Sequence, residues 1–149
     1  MNRLRHEGGF TLIELLIVVA IIGIIASIAV PNLMAAIDRG KQRKTMADMR
    51  VLGNAVETYA IDNNFYPIAS SGVDLGTHLT PVHLKRAITN DGWSRSFAVQ
   101  TSAVEYTLCS GGKDGGVCLS DAAGPTKSVN ASITYANGNF VQWPEGEQR

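Results

Sequence analysis

FTLIELLIVVAIIGIIASIAV, residues 10–30, carries one ionisable side chain, Glu14. As an α-helix rising ~1.5 Å per residue, the run reaches about 31 Å, the thickness of a bilayer hydrocarbon core of ~30 Å. It is therefore expected to span a membrane. An ordinary secretory signal is the plainer alternative, with Arg3 and Arg5 as its basic region and Ser27-Ile28-Ala29 as its cleavage site. The apolar run is longer than the usual ~7–15 residues of such a signal. Glu14 also weighs against it: an ionised acid at mid-bilayer costs roughly 2.5–3.5 kcal/mol, and an acid kept inside an apolar helix asks for a partner.

Charge does not orient the segment. Arg3, Arg5 and His6 precede it, and Arg39, Lys41, Arg43, Lys44 and Arg50 follow it, so cations flank both ends. The informative string is Gly9-Phe10-Thr11-Leu12-Ile13-Glu14. With it the chain resembles the superfamily of type IV pilins and type II secretion pseudopilins, whose short basic leader ends in Gly. The resemblance implies insertion with the N-terminus in the cytoplasm. It also implies cleavage of Gly9-Phe10 by prepilin peptidase and N-methylation of Phe10 by the same enzyme. Glu14 becomes the fifth residue of the mature chain.

The chemistry of these positions is intelligible by itself. Gly9 lacks a Cβ and can adopt backbone geometries that other residues avoid in a tight active site. Cleavage creates an α-amine of pKa near ~7.7–8.0, mostly cationic at neutral pH. In a staggered bundle, Glu14 of one subunit can meet the Phe10 amine of the next and set the axial register, the best-attested use of a buried ion pair. Ala20, Gly23 and Ser27 form a small-residue face on which apolar helices can approach. Gly23 and Pro31 weaken the helix, and a bend or local melting is expected at Pro31, which lacks a donor and clashes with the carbonyl of residue 27. In the resembling families such a break accompanies filament packing.

From Asn32 to about Asp62 helix formers predominate. Met49, Leu52, Val56 and Tyr59 make an apolar stripe for a sheet to pack on. The basic cluster Arg39, Lys41, Arg43 and Lys44 reads either as a solvated face or as a partner for neighbouring subunits or anionic headgroups. An irregular connector is expected from Phe65 to about Asp91, followed by strands at Phe97–Gln100, Val104–Ser110, Ile133–Ala136 and Asn139–Trp143. In the second of these Val104, Tyr106 and Leu108 would share a face. Asn137-Gly138 signals a type I′ hairpin. The expected fold is α+β: a long N-terminal helix, membrane-spanning in its first half, with a small antiparallel sheet packed on its C-terminal half. The expected domains are a leader at 1–9, a transmembrane and filament-core helix at 10–30, and an exported domain at 31–149.

Further residues narrow the resemblance. Tyr59 to Pro67, Thr80-Pro81, Asp91-Gly92-Trp93 and Tyr106-Thr107-Leu108 before Gly111-Gly112-Lys113-Asp114-Gly115 look like the major pseudopilin family of type II secretion. Two departures are visible. Asp91-Gly92-Trp93-Ser94 stands where that family usually has Asp-Pro-Trp-Gly, and the chain continues through a further hairpin. A type IV pilin of adhesion or motility filaments therefore stays open as an alternative, with a soluble exported binding domain more remote.

Cys109 and Cys118 bracket the Gly-rich loop. In an exported, disulfide-permissive compartment they are expected to pair, free thiols being the alternative. Asp114 and Asp121 match the spacing at which the pseudopilin family ties this loop with Ca²⁺, an ion that takes six to eight oxygen ligands. The cysteine pair could equally replace the ion as the staple.

Composition agrees with a structural role. The 149 residues carry 13 Lys+Arg and 13 Asp+Glu for a net charge of zero, which disfavours nucleic acid as a partner. Hydrophobic content of 45% against 17% charged is unlike a disordered chain. No Gly-x-Ser-x-Gly, Gly-Lys-Ser/Thr or His-Glu-x-x-His motif occurs, so no enzyme is expected. The expected partners are copies of the chain itself, prepilin peptidase, other pseudopilins, inner-membrane assembly proteins and, before assembly, the membrane. The expected place is the inner membrane, single-pass, with the C-terminal domain periplasmic or extracellular.

Overall fold

The computed structural model describes residues 9–116, 118 and 123–145. The chain divides into two units, residues 1–37 and 38–149. Helix α1, Leu12–Asn63, begins in the first and ends in the second. Thr11 starts it with a capping box: its backbone N–H and its hydroxyl each donate to Glu14 Oε2 at 2.8 Å, and Glu14 N–H donates to Thr11 Oγ1 at 3.3 Å. Asn64 at φ 64° follows its last residue, the left-handed stop that Asn tolerates better than most side chains.

The stripe expected on the second half of α1 is the core of the second unit. Met49, Leu52 and Val56 are fully buried, and Tyr59 packs against the same cluster. Gly53 lies among them because a Cβ there would run into the ring of Tyr135 and approach the Tyr106 hydroxyl at 3.2 Å. The Arg50 guanidinium lies over the Phe140 ring, 5.2 Å from its centroid.

The expected irregular connector contains a helix, α2, Gly72–Leu79. Its cap is local: Ser71 Oγ accepts from Asp74 N–H at 3.2 Å while Ser70 N–H donates to Asp74 Oδ2 at 3.1 Å. Leu75 and Leu79 then reach the core. Eight residues give too short a periodic pattern to stand out from their polar flanks.

Five strands follow: β1 Ala98–Thr101, β2 Tyr106–Ser110, β3 Gly124–Thr126, β4 Ile133–Ala136 and β5 Asn139–Pro144. The sheet order is β1-β2-β4-β5-β3, and every pair is antiparallel except β3 with β5. The sheet is thus mixed rather than wholly antiparallel. Gly-Pro-Thr at β3 carries no alternation, and Pro125 is tolerated because β3 is an edge strand. The β4–β5 turn is as expected, with Asn137 at φ 46° and Gly138 at φ 85°. Val104 does not share the buried face of Tyr106 and Leu108. It is 82% exposed in a turn where Ser102 Oγ accepts from the N–H groups of Val104 and Glu105.

Candidate functional site

The functional residues fall into two groups, one in each unit. In the first unit Gly9 and Phe10 lie exposed just before the capping box. The cap directs the Glu14 carboxylate toward the N-terminal end of α1, one residue from Phe10. Sequence reading assigned Glu14 an intermolecular role and overlooked this local one, although Thr-x-x-Glu is its signature. From Leu12 to Ile37 the large apolar side chains of α1 are all exposed, Ile37 least so at 43%. A sleeve of this size is stable only in lipid or against other apolar helices.

Gly23 and Pro31 were expected to weaken this helix, and α1 runs through both. Open space surrounds the place of a Gly23 Cβ, as it would on a face waiting for a neighbour. Around Pro31 side chains supply donors to the backbone: Ser27 Oγ to the Ile24 carbonyl at 2.7 Å and Asn32 Nδ2 to the Ile28 carbonyl at 3.1 Å.

The second group is the loop after β2. Cys109 and Cys118 form a disulfide with Cα atoms 5.7 Å apart, Cys109 being fully buried. Gly112 and Gly115 take φ near +69° and +68°. A Cβ at Gly112 would approach the Asn130 carbonyl oxygen within 2.7 Å, so the loop needs glycine there for closeness as well as for handedness. Lys113 reaches back to α1, its Nζ 2.8 Å from Oδ2 of Asp38, which is 6% exposed. The Lys113 hydrogen bond holds the Asp38 carboxyl below the usual carboxylate range against the opposing cost of its desolvation. Smaller contributions in the same direction come from Trp93 and the charge of Lys41. The Trp93 indole N–H is buried and meets no acceptor at good hydrogen-bond geometry, so its effect on Asp38 is that of a nearby dipole.

A buried carboxylate anchors the neighbouring turn. Asp91, 3% exposed, accepts from the N–H groups of Trp93 and Arg95 at 2.9 Å each and from Ser110 Oγ at 2.7 Å. Gly92 N–H donates to Thr45 Oγ1 on α1 at 2.9 Å. Together the turn and the loop clasp the first turns of α1 in this unit. The basic side chains Arg39, Arg43 and Lys44 remain on its exposed face, with Lys41 half-buried.

Asp114, the expected Ca²⁺ ligand, is exposed in the turn between Gly112 and Gly115. Its intended companion Asp121 lies outside the described residues. Among the described residues no three His, Cys, Asp or Glu side chains gather as metal ligands.

The sequence matches two family descriptions in succession. Residues 4–30 match the prokaryotic N-terminal methylation motif. Residues 32–124 match type II secretion system (T2SS), protein G. The chain belongs to the type II secretion system protein G family. The type II secretion system core protein G of Aeromonas hydrophila is 44% identical over 70 residues, covering 47% of this chain and 49% of that protein. The chain thus spans about half the length of that relative. Core protein G of Escherichia coli K12 is 33% identical over 138 residues, covering 92% of this chain and 94% of that protein. A type IV wide pilus major component of Thermus thermophilus is 36% identical over 135 residues, covering 88% and 94%. No solved structure matches. In this protein G family member, as the methylation motif and the apolar sleeve agree, the apolar first half of α1 makes the chain a membrane-anchored single-pass protein.

Proposed function

We propose that this protein G family member is a structural subunit of a type II secretion pseudopilus, a filament that supports protein export and performs no catalysis. The observation that carries the reading is the exposed apolar sleeve of α1 in a chain whose remainder matches protein G. Before assembly the sleeve is solvated by the inner membrane, with the N-terminus cytoplasmic and the folded unit periplasmic. Prepilin peptidase cuts Gly9-Phe10 and methylates Phe10. Copies then leave the bilayer with inner-membrane assembly proteins and other pseudopilins, and the sleeves exchange lipid for one another. Glu14 pairs with the Phe10 amine of a neighbour. Its carboxylate already points to that end of the helix in the capping box, so pairing needs little rearrangement. In the filament Gly23 and Pro31 mark where α1 loosens.

A second reading, a type IV pilus subunit, draws on the Thermus thermophilus relative. Deleting the gene separates the two: loss of protein release to the medium with motility retained supports the pseudopilus, and the reverse phenotype supports the pilus. Mass spectrometry of the membrane-extracted subunit tests the shared premise. A mature chain beginning at methylated Phe10 is expected, and one beginning near Val30 would refute both.

A further inference from the structure

Asn137-Gly138 closes the β4–β5 hairpin in a two-residue turn, with φ of 46° and 85° and with Ala136 opposite Asn139. Asn before Gly is also the dipeptide in which the backbone most readily attacks a side chain, because glycine leaves its nitrogen unshielded. The Gly138 nitrogen bonds to Asn137 Cγ, the Cγ–Nδ2 bond breaks, and ammonia departs. The Gly138 amide proton goes to solvent base, and one returns from solvent to the leaving nitrogen. Water then opens the cyclic imide to aspartate or to isoaspartate.

Burial does not guard this pair, since both residues are exposed. Tyr106, fully buried at the start of β2, does so by hydrogen bonding. Its carbonyl accepts from Asn137 N–H at 3.2 Å, its own N–H donates to Asn137 Oδ1 at 2.9 Å, and its hydroxyl oxygen accepts from Gly138 N–H at 3.1 Å. The first two bonds fix the backbone and the amide of Asn137. The third holds the proton that must leave and turns the Gly138 nitrogen toward the phenol instead of Cγ. Burial first, and the Glu57 carboxylate after it, push the Tyr106 hydroxyl far above the usual tyrosine range. In mild alkali it therefore stays neutral and is no base for that proton.

We propose that Asn137 is a deamidation site that the fold silences: cyclisation onto Gly138 is confined to chains whose β4–β5 turn is open, and Tyr106 is the residue that holds it shut. The products disfavour closing. Isoaspartate adds a backbone carbon to a turn whose length fixes the strand register. Aspartate brings a charge to a turn that Glu57 already approaches, its Oε1 3.9 Å from where a Gly138 Cβ would lie. The modification thus marks subunits that have stayed open.

The test follows conversion of amide to acid at Asn137 by peptide mass spectrometry, with the full chain in detergent and mildly alkaline buffer, folded or in urea. Folded wild type is expected to react more slowly than the unfolded chain by about tenfold or more, which an opening free energy of about 1.4 kcal/mol suffices to give. Equal rates would overturn the proposal. Tyr106→Phe keeps both backbone bonds and loses the acceptor for Gly138 N–H. Leu75→Ala, a core truncation on α2, destabilises without touching the turn. Compared at urea concentrations that give equal unfolded fractions, Tyr106→Phe should react about fivefold faster than Leu75→Ala, the effect of one hydrogen bond of about 1 kcal/mol. Equal rates for these two variants would show that Tyr106 acts through global stability alone and would overturn its role. Should Tyr106→Phe not fold, hydrogen exchange at the Gly138 amide of wild type decides: slowed exchange supports the hold by Tyr106, and exchange as fast as in the unfolded chain refutes it.

Discussion

Lys113 Nζ lies 2.8 Å from Asp38 Oδ2, joining the tip of the disulfide loop to the first residue of the folded unit across 75 positions of sequence. The contact ties the loop to the stretch of α1 that follows the apolar sleeve. Through it the loop closed by Cys109 and Cys118 is tied to α1 at Asp38.

The first prediction concerns the pH dependence of this pair. The folded pKa of Asp38 is depressed, chiefly by Lys113, so its contribution to stability is present above the unfolded carboxylate value of ~3.9 and is lost as pH falls through the lower folded value. The folded pKa of Lys113 is raised, chiefly by Asp38, so its contribution is present below ~10.4 and lost as pH rises through the higher folded value. Lys113→Met should therefore lower the Tm by a few degrees at neutral pH, and the deficit should shrink in acid as pH falls through the lowered Asp38 value. An equal Tm deficit across pH 2 to 8, followed by differential scanning calorimetry, would show that the ammonium acts through packing alone.

Ser94 holds φ at 65°, a left-handed conformation that costs an L-residue roughly 1–2 kcal/mol. It occupies the place where the resembling pseudopilins have Gly. Ser94→Gly should stabilise the folded unit by about 0.5–1 kcal/mol after the extra chain entropy of glycine is subtracted. Urea denaturation is the measurement, and a destabilised variant would contradict the strain argument.

The disulfide closes a short loop, for which the chain-entropy estimate is about 2.5–3 kcal/mol. Reductant, or Cys109→Ser with Cys118→Ser, should lower stability by about that amount. The ion proposed for Asp114 and Asp121 predicts a separate effect, a Tm that chelator lowers under oxidising conditions. A rise in Tm with added Ca²⁺ that Asp114→Ala abolishes would place the ion in the loop.

Glu14→Leu removes the carboxylate that caps α1 and, in the proposed filament, meets the Phe10 amine. Insertion should persist because the segment becomes more apolar, at a cost of about 1 kcal/mol in helix capping. Processing at Gly9-Phe10 should continue, while the yield of sheared filaments should fall at least tenfold, the effect of about 1.4 kcal/mol per subunit contact. Filaments at wild-type yield would remove the register argument.

What the sequence determined by itself is local or periodic. The apolar run 10–30, the Gly9-Phe10 break, Glu14, the stripe Met49, Leu52 and Val56, and the Asn137-Gly138 turn are each written within a few residues or at helical spacing. Backbone geometry reads such patterns without reference to the rest of the chain. The Ser71 cap of α2 and the Thr11–Glu14 box were legible in the same way and were overlooked. The tertiary structure alone decided the burial of Asp38 and Asp91 and the parallel pairing of β3 with β5. In sequence Asp38 sits among Arg39, Lys41 and Lys44 and looks solvated. It is buried because the chain returns, 75 residues later, with the cation that makes its burial tolerable.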